Sequence, residues 1–116
     1  MSVPVANILP ADGIDPQAAA LIEPFAISAH AVRRAAIAPG EQVLVVGAGP
    51  IGLGAAAIAK ADGAQVVVAD TSPARREHVA TRLELPVLDP SAEDFDAQLR
   101  AQFWWFAGAE SDRRDR

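Results

Sequence analysis

The chain has 116 residues, of which 51% are hydrophobic and 22% are charged, and its net charge at pH 7 is −5. This length is typical of one domain that buries about two-thirds of its unfolded surface. The acidic residues are scattered, which argues against nucleic acid or an anionic membrane as a partner. Zero cysteines exclude disulfides, a thiolate nucleophile and any zinc site with a cysteine ligand. Because no apolar run approaches the ~20 residues of a membrane span and no signal pattern opens the chain, we expect a soluble, cytoplasmic protein.

The first 40 residues precede the part of the chain that has a sheet pattern. Residues 1–14 are expected to be extended, because each proline in them disfavours helix in the residue before it. Residues 15–40 carry apolar residues at helical spacing and predict two linking helices, the second ending at about Ala35. Pro24 predicts a kink near Glu23, since proline lacks the N–H that a helix interior needs.

Residues 41–103 alternate between short apolar runs and helical patterns. The runs "VLVV" and "QVVVAD" are continuous, as in strands buried on both faces, and "LPVLD" predicts a short third strand. A helix is expected from Ile51, another after the cap residue Ser72, and a third after a capping box formed by Ser91 and Asp94. This alternation predicts an α/β fold with a parallel sheet, preceded by the kinked helix.

A glycine-rich turn lies between the first predicted strand and its helix. Gly47, Gly49 and Gly52 form G-x-G-x-x-G, the pattern of the first half of a Rossmann-like fold. Gly47 allows the tight turn, Gly49 lets a pyrophosphate approach the backbone, and Gly52 lets the helix pack close to the strand. The free N–H groups of the helix N-terminus then face the phosphates. This pattern predicts that residues 41–103 are a partial dinucleotide-binding domain.

An aspartate at the end of the second strand completes the pattern. Asp70 lies 18 residues beyond Gly52 and would accept hydrogen bonds from the ribose hydroxyls, whereas a 2′-phosphate would meet a like charge, so NAD is favoured over NADP. Arg75 either lies over the adenine or is solvated surface. Flavin proteins, S-adenosylmethionine proteins and a purely structural turn are the alternatives. The predicted cofactor-binding residues are Gly47, Gly49, Pro50, Ile51, Gly52, Asp70 and Arg75.

Residues 2–103 resemble one enzyme family. The stretches "EPFAISAHAVRRA", "PGEQVLVVGAGPIGLGAAAIAKADGA" and "VVVAD" are similar to the zinc-type medium-chain alcohol and polyol dehydrogenases, among them sugar-acid dehydrogenases. The resemblance implies an NAD-dependent oxidoreductase that oxidises a secondary alcohol. It also implies that Glu23 corresponds to an acidic residue of the catalytic zinc pocket. From its apolar neighbours alone, Glu23 is either exposed at the kink or part of a polar site.

The residues that would bind catalytic zinc in this family are not found in the sequence. Family members carry cysteine and histidine ligands in a preceding catalytic domain, and the spacing of Glu23, His30 and His78 does not indicate a zinc site. We therefore expect a fragment that binds NAD or adenine nucleotide, binds no metal and lacks turnover alone, with residues 1–14 as the end of that catalytic domain. The alternatives are a non-catalytic nucleotide-binding or strand-pairing module and an inert truncation product.

Both the sheet and the C-terminal tail depart from the family pattern. A complete sheet has the order 3-2-1-4-5-6, but the predicted strands supply only 3-2-1, so the sheet is incomplete and an open edge invites self-association. Residues 104–116 have neither a helical nor a strand period and predict an aberrant tail. Reading the codons of Trp104 and Trp105 one base late gives Gly-Gly. We interpret the tail as a frameshifted translation and Met1 as an internal start.

Overall fold

The structure, a computed structural model, describes residues 1–114, with side chains described as far as Trp104. Its α/β fold confirms the predicted class. Five helices are described: α1 (Pro16–Ala20), α2 (Ile22–Ala35), α3 (Pro50–Ala61), α4 (Pro73–Arg82) and α5 (Phe95–Arg114). The strands are β1 (Gln42–Val46), β2 (Gln65–Ala69) and β3 (Val87–Leu88), and residues Val5–Asn7 form a 3-10 turn. No helix within residues 1–114 combines the length and apolar character needed to cross a membrane.

The three strands form one parallel sheet in the order β1-β2-β3, as the alternating pattern predicted. Val66 and Val68 of β2 point into a core formed with α3 and α4 that includes Ala56 and Val79. Because side chains alternate across a strand, Val67 points to the opposite face, where α5 contacts the sheet. The sheet is therefore covered on both faces at β2.

Strand β1 is less buried than its apolar sequence predicted. Its central residues are half-buried and Val46 is 72% exposed, whereas Val67 in β2 is fully buried. The prediction of burial on both faces is wrong for β1 because this strand pairs only with β2 in the described part of the chain. The predicted open edge is therefore present among residues 1–114.

The break between α1 and α2 lies slightly earlier than predicted. It falls at Leu21, so that Glu23 and Pro24 belong to the first turn of α2. The first turn of a helix makes no use of its N–H groups, so proline is tolerated there without a kink. The hydrogen bond from the Phe25 N–H to the Leu21 carbonyl, 3.0 Å long, shows that α2 is regular immediately after Pro24.

The start of α5 differs from the prediction, and this helix extends into the C-terminal tail. Asp89 Oδ1 accepts the hydroxyl and the N–H of Ser91 at 2.6 and 2.9 Å, forming a turn, and the helix begins only at Phe95. The predicted capping box is therefore wrong, because Asp89 is the closer acceptor. Residues 104–114 continue α5 as helix, and the aberrant character of residues 104–116 stays a prediction. Residues 115 and 116 lie outside the described residues, and the frameshift remains a prediction about codons.

A tight crossing of α2 and α3 fixes the start of α3. The Ser28 hydroxyl is fully buried and lies 2.9 Å from the Pro24 carbonyl oxygen and 2.8 Å from the Ile51 carbonyl oxygen. A Cβ at Gly54 would lie 2.5 Å from the Ser28 hydroxyl oxygen and 3.0 Å from its Cβ. Only glycine at position 54 allows this separation of the helices, and α2 thereby holds the first turn of α3 in place.

This crossing predicts that substitutions at Gly54 and Ser28 are coupled. A methyl group in Gly54→Ala gains about 1 kcal/mol of helix propensity, but overpacking costs about 1–3 kcal/mol, so we expect a net loss of stability. Ser28→Ala loses about 1 kcal/mol with its hydrogen bond to Ile51. Because Ser28→Ala also removes the clashing oxygen, the double variant should lose less than the sum of the single losses. Urea denaturation measures this, and additive losses would contradict the crossing.

Candidate functional site

Three loops meet at one edge of the sheet. Because the strands are parallel, their carboxyl ends lie together, and the loops that follow β1, β2 and β3 contain residues 47–49, 70–72 and 89–91. Ligands of open α/β sheets bind beyond the carboxyl ends of the strands. These three loops are therefore the candidate site.

Two of the three glycines are required by the geometry of the chain itself. Gly47 has a φ of +99°, which residues with a side chain rarely adopt, and its N–H donates to the Ala69 carbonyl at 2.8 Å. A Cβ at Gly52 would overlap the carbonyl oxygen of Gly47. Gly47 thus forms the turn after β1, and Gly52 allows α3 to begin directly against that turn.

Gly49 has no such structural requirement. Its φ of −74° and ψ of −178° are accessible to any residue, and no atom lies within 4 Å of a Cβ built at this position. Neither strain nor crowding inside the chain explains a glycine here. Open space above its Cα is what a ligand in contact with the backbone would need.

The first turn of α3 presents unpaired donors beside Gly49. No side chain caps this helix, whereas Asp15 caps α1 and Ser72 caps α4. Pro50 occupies the first position, and Ile51 and Gly52 follow within the turn whose N–H groups have no partner inside a helix. The dipole of α3 adds partial positive charge here, so the turn attracts an anion such as a phosphate.

Asp70 joins two of the loops. Its carboxylate is 6% exposed, and its Oδ2 accepts the Ala48 N–H at 2.8 Å while its Oδ1 accepts the Ser72 N–H at 2.7 Å. The hydrogen bond from Ala48, followed by the one from Ser72, lowers the pKa of Asp70 below its ordinary value of 3.8. The carboxylate is therefore ionised near neutral pH and holds the glycine loop against the end of β2.

Arg75 lies at the exposed rim of the site. Its Nη1 is 3.7 Å from Asp70 Oδ2, and its side chain is 59% exposed. An ion pair this exposed contributes little to stability. A carboxylate offers about four acceptor positions, so the two hydrogen bonds from Ala48 and Ser72 leave Asp70 able to accept further donors.

Arg76 is the part of the site that sequence reasoning missed. Its Nη1 donates to the carbonyl oxygens of Asp70 at 2.8 Å and Thr71 at 3.0 Å, and lies 3.5 Å from Asp89 Oδ2. The signal was its position one helical turn after the cap residue Ser72, which places its side chain beside the loop that precedes the helix.

The residues considered for metal binding are not clustered. Glu23 lies exposed in the first turn of α2, His30 is exposed further along that helix, and His78 is exposed on α4. Among the residues that the structure describes, no group of three or more His, Cys, Asp or Glu side chains could hold a metal ion.

Sequence comparisons relate the chain to dehydrogenases. Residues 18–102 match the family model of the alanine dehydrogenase/PNT C-terminal domain. L-galactonate-5-dehydrogenase of Escherichia coli is 98% identical over 103 residues, which are 89% of this chain and 30% of that enzyme. The 2-dehydro-3-deoxy-L-galactonate 5-dehydrogenase of Pseudoalteromonas atlantica is 40% identical over 91 residues, 78% of this chain and 26% of that enzyme. The chain thus spans less than a third of the length of these relatives.

Two solved structures of oxidoreductases are similar to this chain. Acetophenone reductase from Geotrichum candidum, in complex with NAD, has a TM-score of 0.65 and 30% identity, covering 75% of this chain and 26% of that one. A quinone oxidoreductase of Pseudomonas syringae has a TM-score of 0.63 and 31% identity, covering 78% of this chain and 29% of that one.

The hydrogen bonds to Asp70 predict a pH dependence. Because the pKa of Asp70 is lowered in the folded chain, its contribution to stability is present above the unfolded value of about 3.9. This contribution is lost as the pH falls through the lowered folded pKa. Carbon NMR of the Asp70 carboxyl should show a pKa below 3.8. The Arg75→Met variant should change this pKa only slightly, because the hydrogen bonds from Ala48 and Ser72 lower it more than Arg75 does. Titration at or above 3.8 would contradict this arrangement.

Proposed function

Because the chain belongs to the family of the alanine dehydrogenase/PNT C-terminal domain and, by its relatives, to the medium-chain alcohol and polyol dehydrogenases, we propose that it binds the adenosine and pyrophosphate half of NAD. The proposed site is the edge of the sheet formed by the loops after β1, β2 and β3. In this proposal the pyrophosphate lies over Gly49 and the first turn of α3. The ribose hydroxyls donate to Asp70, and Arg75 lies beside the adenine.

The observation that carries the proposal is the glycine at position 49. Gly47 and Gly52 satisfy constraints of the fold, but Gly49 has an ordinary backbone conformation and open space where its Cβ would be. A ligand that approaches the main chain accounts for it. The uncapped N–H groups of Ile51 and Gly52 next to it supply donors for two phosphates.

The preference for NAD over NADP follows from the charge of Asp70. A 2′-phosphate at the ribose would approach a carboxylate that two backbone N–H groups keep ionised. Arg75 is too exposed to offset that repulsion fully. The chain should therefore bind NAD and ADP-ribose more tightly than their 2′-phosphorylated forms.

The same premise gives the reaction class. We assign the chain to the coenzyme-binding part of an enzyme that transfers hydride from a secondary alcohol of a sugar acid to NAD. The support is that its relatives are named L-galactonate-5-dehydrogenase in Escherichia coli and 2-dehydro-3-deoxy-L-galactonate 5-dehydrogenase in Pseudoalteromonas atlantica. Glu23 would contribute to the zinc pocket of such an enzyme. The 116-residue chain alone should bind coenzyme without oxidising an alcohol, and an alcohol-dependent NADH assay checks this.

Gly49→Ala tests the proposed site directly. The new methyl group meets no atom of the chain, so stability should be unchanged, while affinity for NAD and ADP-ribose should fall at least about tenfold, equivalent to about 1.4 kcal/mol. Isothermal titration with both ligands measures the change. Gly52→Ala is the contrasting variant, since its methyl group overlaps the Gly47 carbonyl and should reduce stability. No binding of either ligand by the wild-type chain would overturn the proposal and favour an inert product.

A second candidate function, strand pairing, is favoured by the open edge of β1. Val46 is 72% exposed, and β1 pairs on one side only among residues 1–114. The occupant that fits this edge is a second copy of the chain, because a doubly wound sheet is built from two βαβαβ halves that meet at their first strands. Pairing of two copies through β1 would satisfy the unpaired N–H and C=O groups of both edges.

Val46→Lys tests this pairing. The position is exposed, so the chain should keep its fold, but a lysine on the edge strand opposes pairing with a second copy. Light scattering after gel filtration should give the mass of two chains for the wild type and of one chain for the variant. A wild-type chain that runs as a single copy at every concentration tested would overturn the pairing.

A further inference from the structure

We propose that Arg76 is the positioning residue of the ribose subsite: by binding the backbone carbonyls of Asp70 and Thr71, it fixes the orientation in which the Asp70 carboxylate meets the ribose hydroxyls. This inference rests on the proposed coenzyme binding and adds a residue that determines how well the ribose is recognised.

The geometry around the Arg76 guanidinium supports this role. Its Nη1 lies 2.8 Å from the Asp70 carbonyl oxygen and 3.0 Å from the Thr71 carbonyl oxygen. The side chain is 21% exposed, compared with 59% for its neighbour Arg75. A guanidinium presents its donors in a rigid plane and remains charged, so it is suited to binding several carbonyl oxygens at once. Arg76 therefore restrains the turn that follows β2.

Asp89 anchors Arg76 from the loop that follows β3. Its Oδ2 is 3.5 Å from Arg76 Nη1, and its Oδ1 is held by the hydroxyl and N–H of Ser91. These two bonds from Ser91, and then the charge of Arg76, lower the pKa of Asp89. The guanidinium thus joins the loop after β2 to the loop after β3.

Arg76 acts through Asp70. Its Nη1 contacts main-chain carbonyls of the turn, while the Asp70 carboxylate extends away to accept the N–H of Ala48 in the glycine loop. The chain of contacts runs from Asp89 through Arg76 and Asp70 to Ala48, and so connects all three loops of the site. Loss of Arg76 would release the turn, and the carboxylate would then meet the ribose in a less defined orientation.

The test compares ADP with 2′-deoxy-ADP by isothermal titration. A charge-assisted hydrogen bond from the 2′-hydroxyl to Asp70 should make ADP bind about tenfold more tightly in the wild type. In Arg76→Met the ratio of the affinity for ADP to the affinity for 2′-deoxy-ADP should fall to about twofold. The ribose contact is lost in this variant, while the phosphate contacts at Gly49 remain. Arg76→Lys should restore part of the ratio because a lysine donates to the same carbonyls. A general loss of stability would not change the ratio in molecules that remain folded.

Arg82→Met is the matched control, because Arg82 is exposed in the last turn of the same helix. It should leave the ratio unchanged. A second measurement needs no ligand: the amide of Ala48 should exchange with solvent faster in Arg76→Met than in Arg82→Met, as its acceptor Asp70 becomes less restrained. If Arg76→Met fails to fold, Asp89→Asn serves instead, since it removes the anchor and should lower the ratio less.

The outcomes separate the inference from the function on which it rests. Wild-type binding of ADP with an undiminished ratio in Arg76→Met overturns the role of Arg76 and leaves the proposed coenzyme site standing. Failure of the wild type to bind either nucleotide overturns both. A reduced ratio together with faster Ala48 exchange, and no change in Arg82→Met, supports the positioning role.

Discussion

The hydrogen bond from the Ala48 N–H to the Asp70 carboxylate is the contact on which the site depends. It joins residues 22 positions apart and brings the loop after β1 against the end of β2. Asp70 accepts the Ser72 N–H on its other carboxylate oxygen. An amide side chain at this position has only one acceptor oxygen, so it could accept only one of these two N–H groups. The residue expected to recognise a ribose therefore also determines the shape of the loop expected to hold the phosphates.

The three glycines of the pattern serve different physical purposes. Gly47 adopts a positive φ that side chains disfavour, and Gly52 allows α3 to approach the turn closely. Gly49 has neither role within the chain. A fold without a ligand would need only the first two. The third is thus the position at which structure and binding can be separated.

The sequence predicted features that depend on neighbouring residues. The strands followed from apolar runs, the start of α4 at Pro73 from the cap residue Ser72, and the end of α3 before Gly63 from a left-handed glycine. The contacts of Arg76, and the crossing of Ser28 with Gly54, could not be predicted because they join elements distant in sequence. The predicted capping box at Ser91 was wrong for a different reason: Asp89, two residues before Ser91, accepts hydrogen bonds from Ser91 and lies outside the four-residue pattern.

The open edge of β1 limits what coenzyme binding can achieve. In a doubly wound sheet the adenosine half of a dinucleotide lies over the first set of strands and the nicotinamide half over the second set, across the first strand. Among residues 1–114 no strand lies beyond β1, so the proposed site would contact only the adenosine, the ribose and the phosphates of a dinucleotide. Binding energy gained from the adenosine half of the dinucleotide cannot orient the nicotinamide ring, which accepts the hydride. Under the proposed function, recognition of the coenzyme and transfer of hydride are therefore physically separable, and this part of the chain would carry only the first.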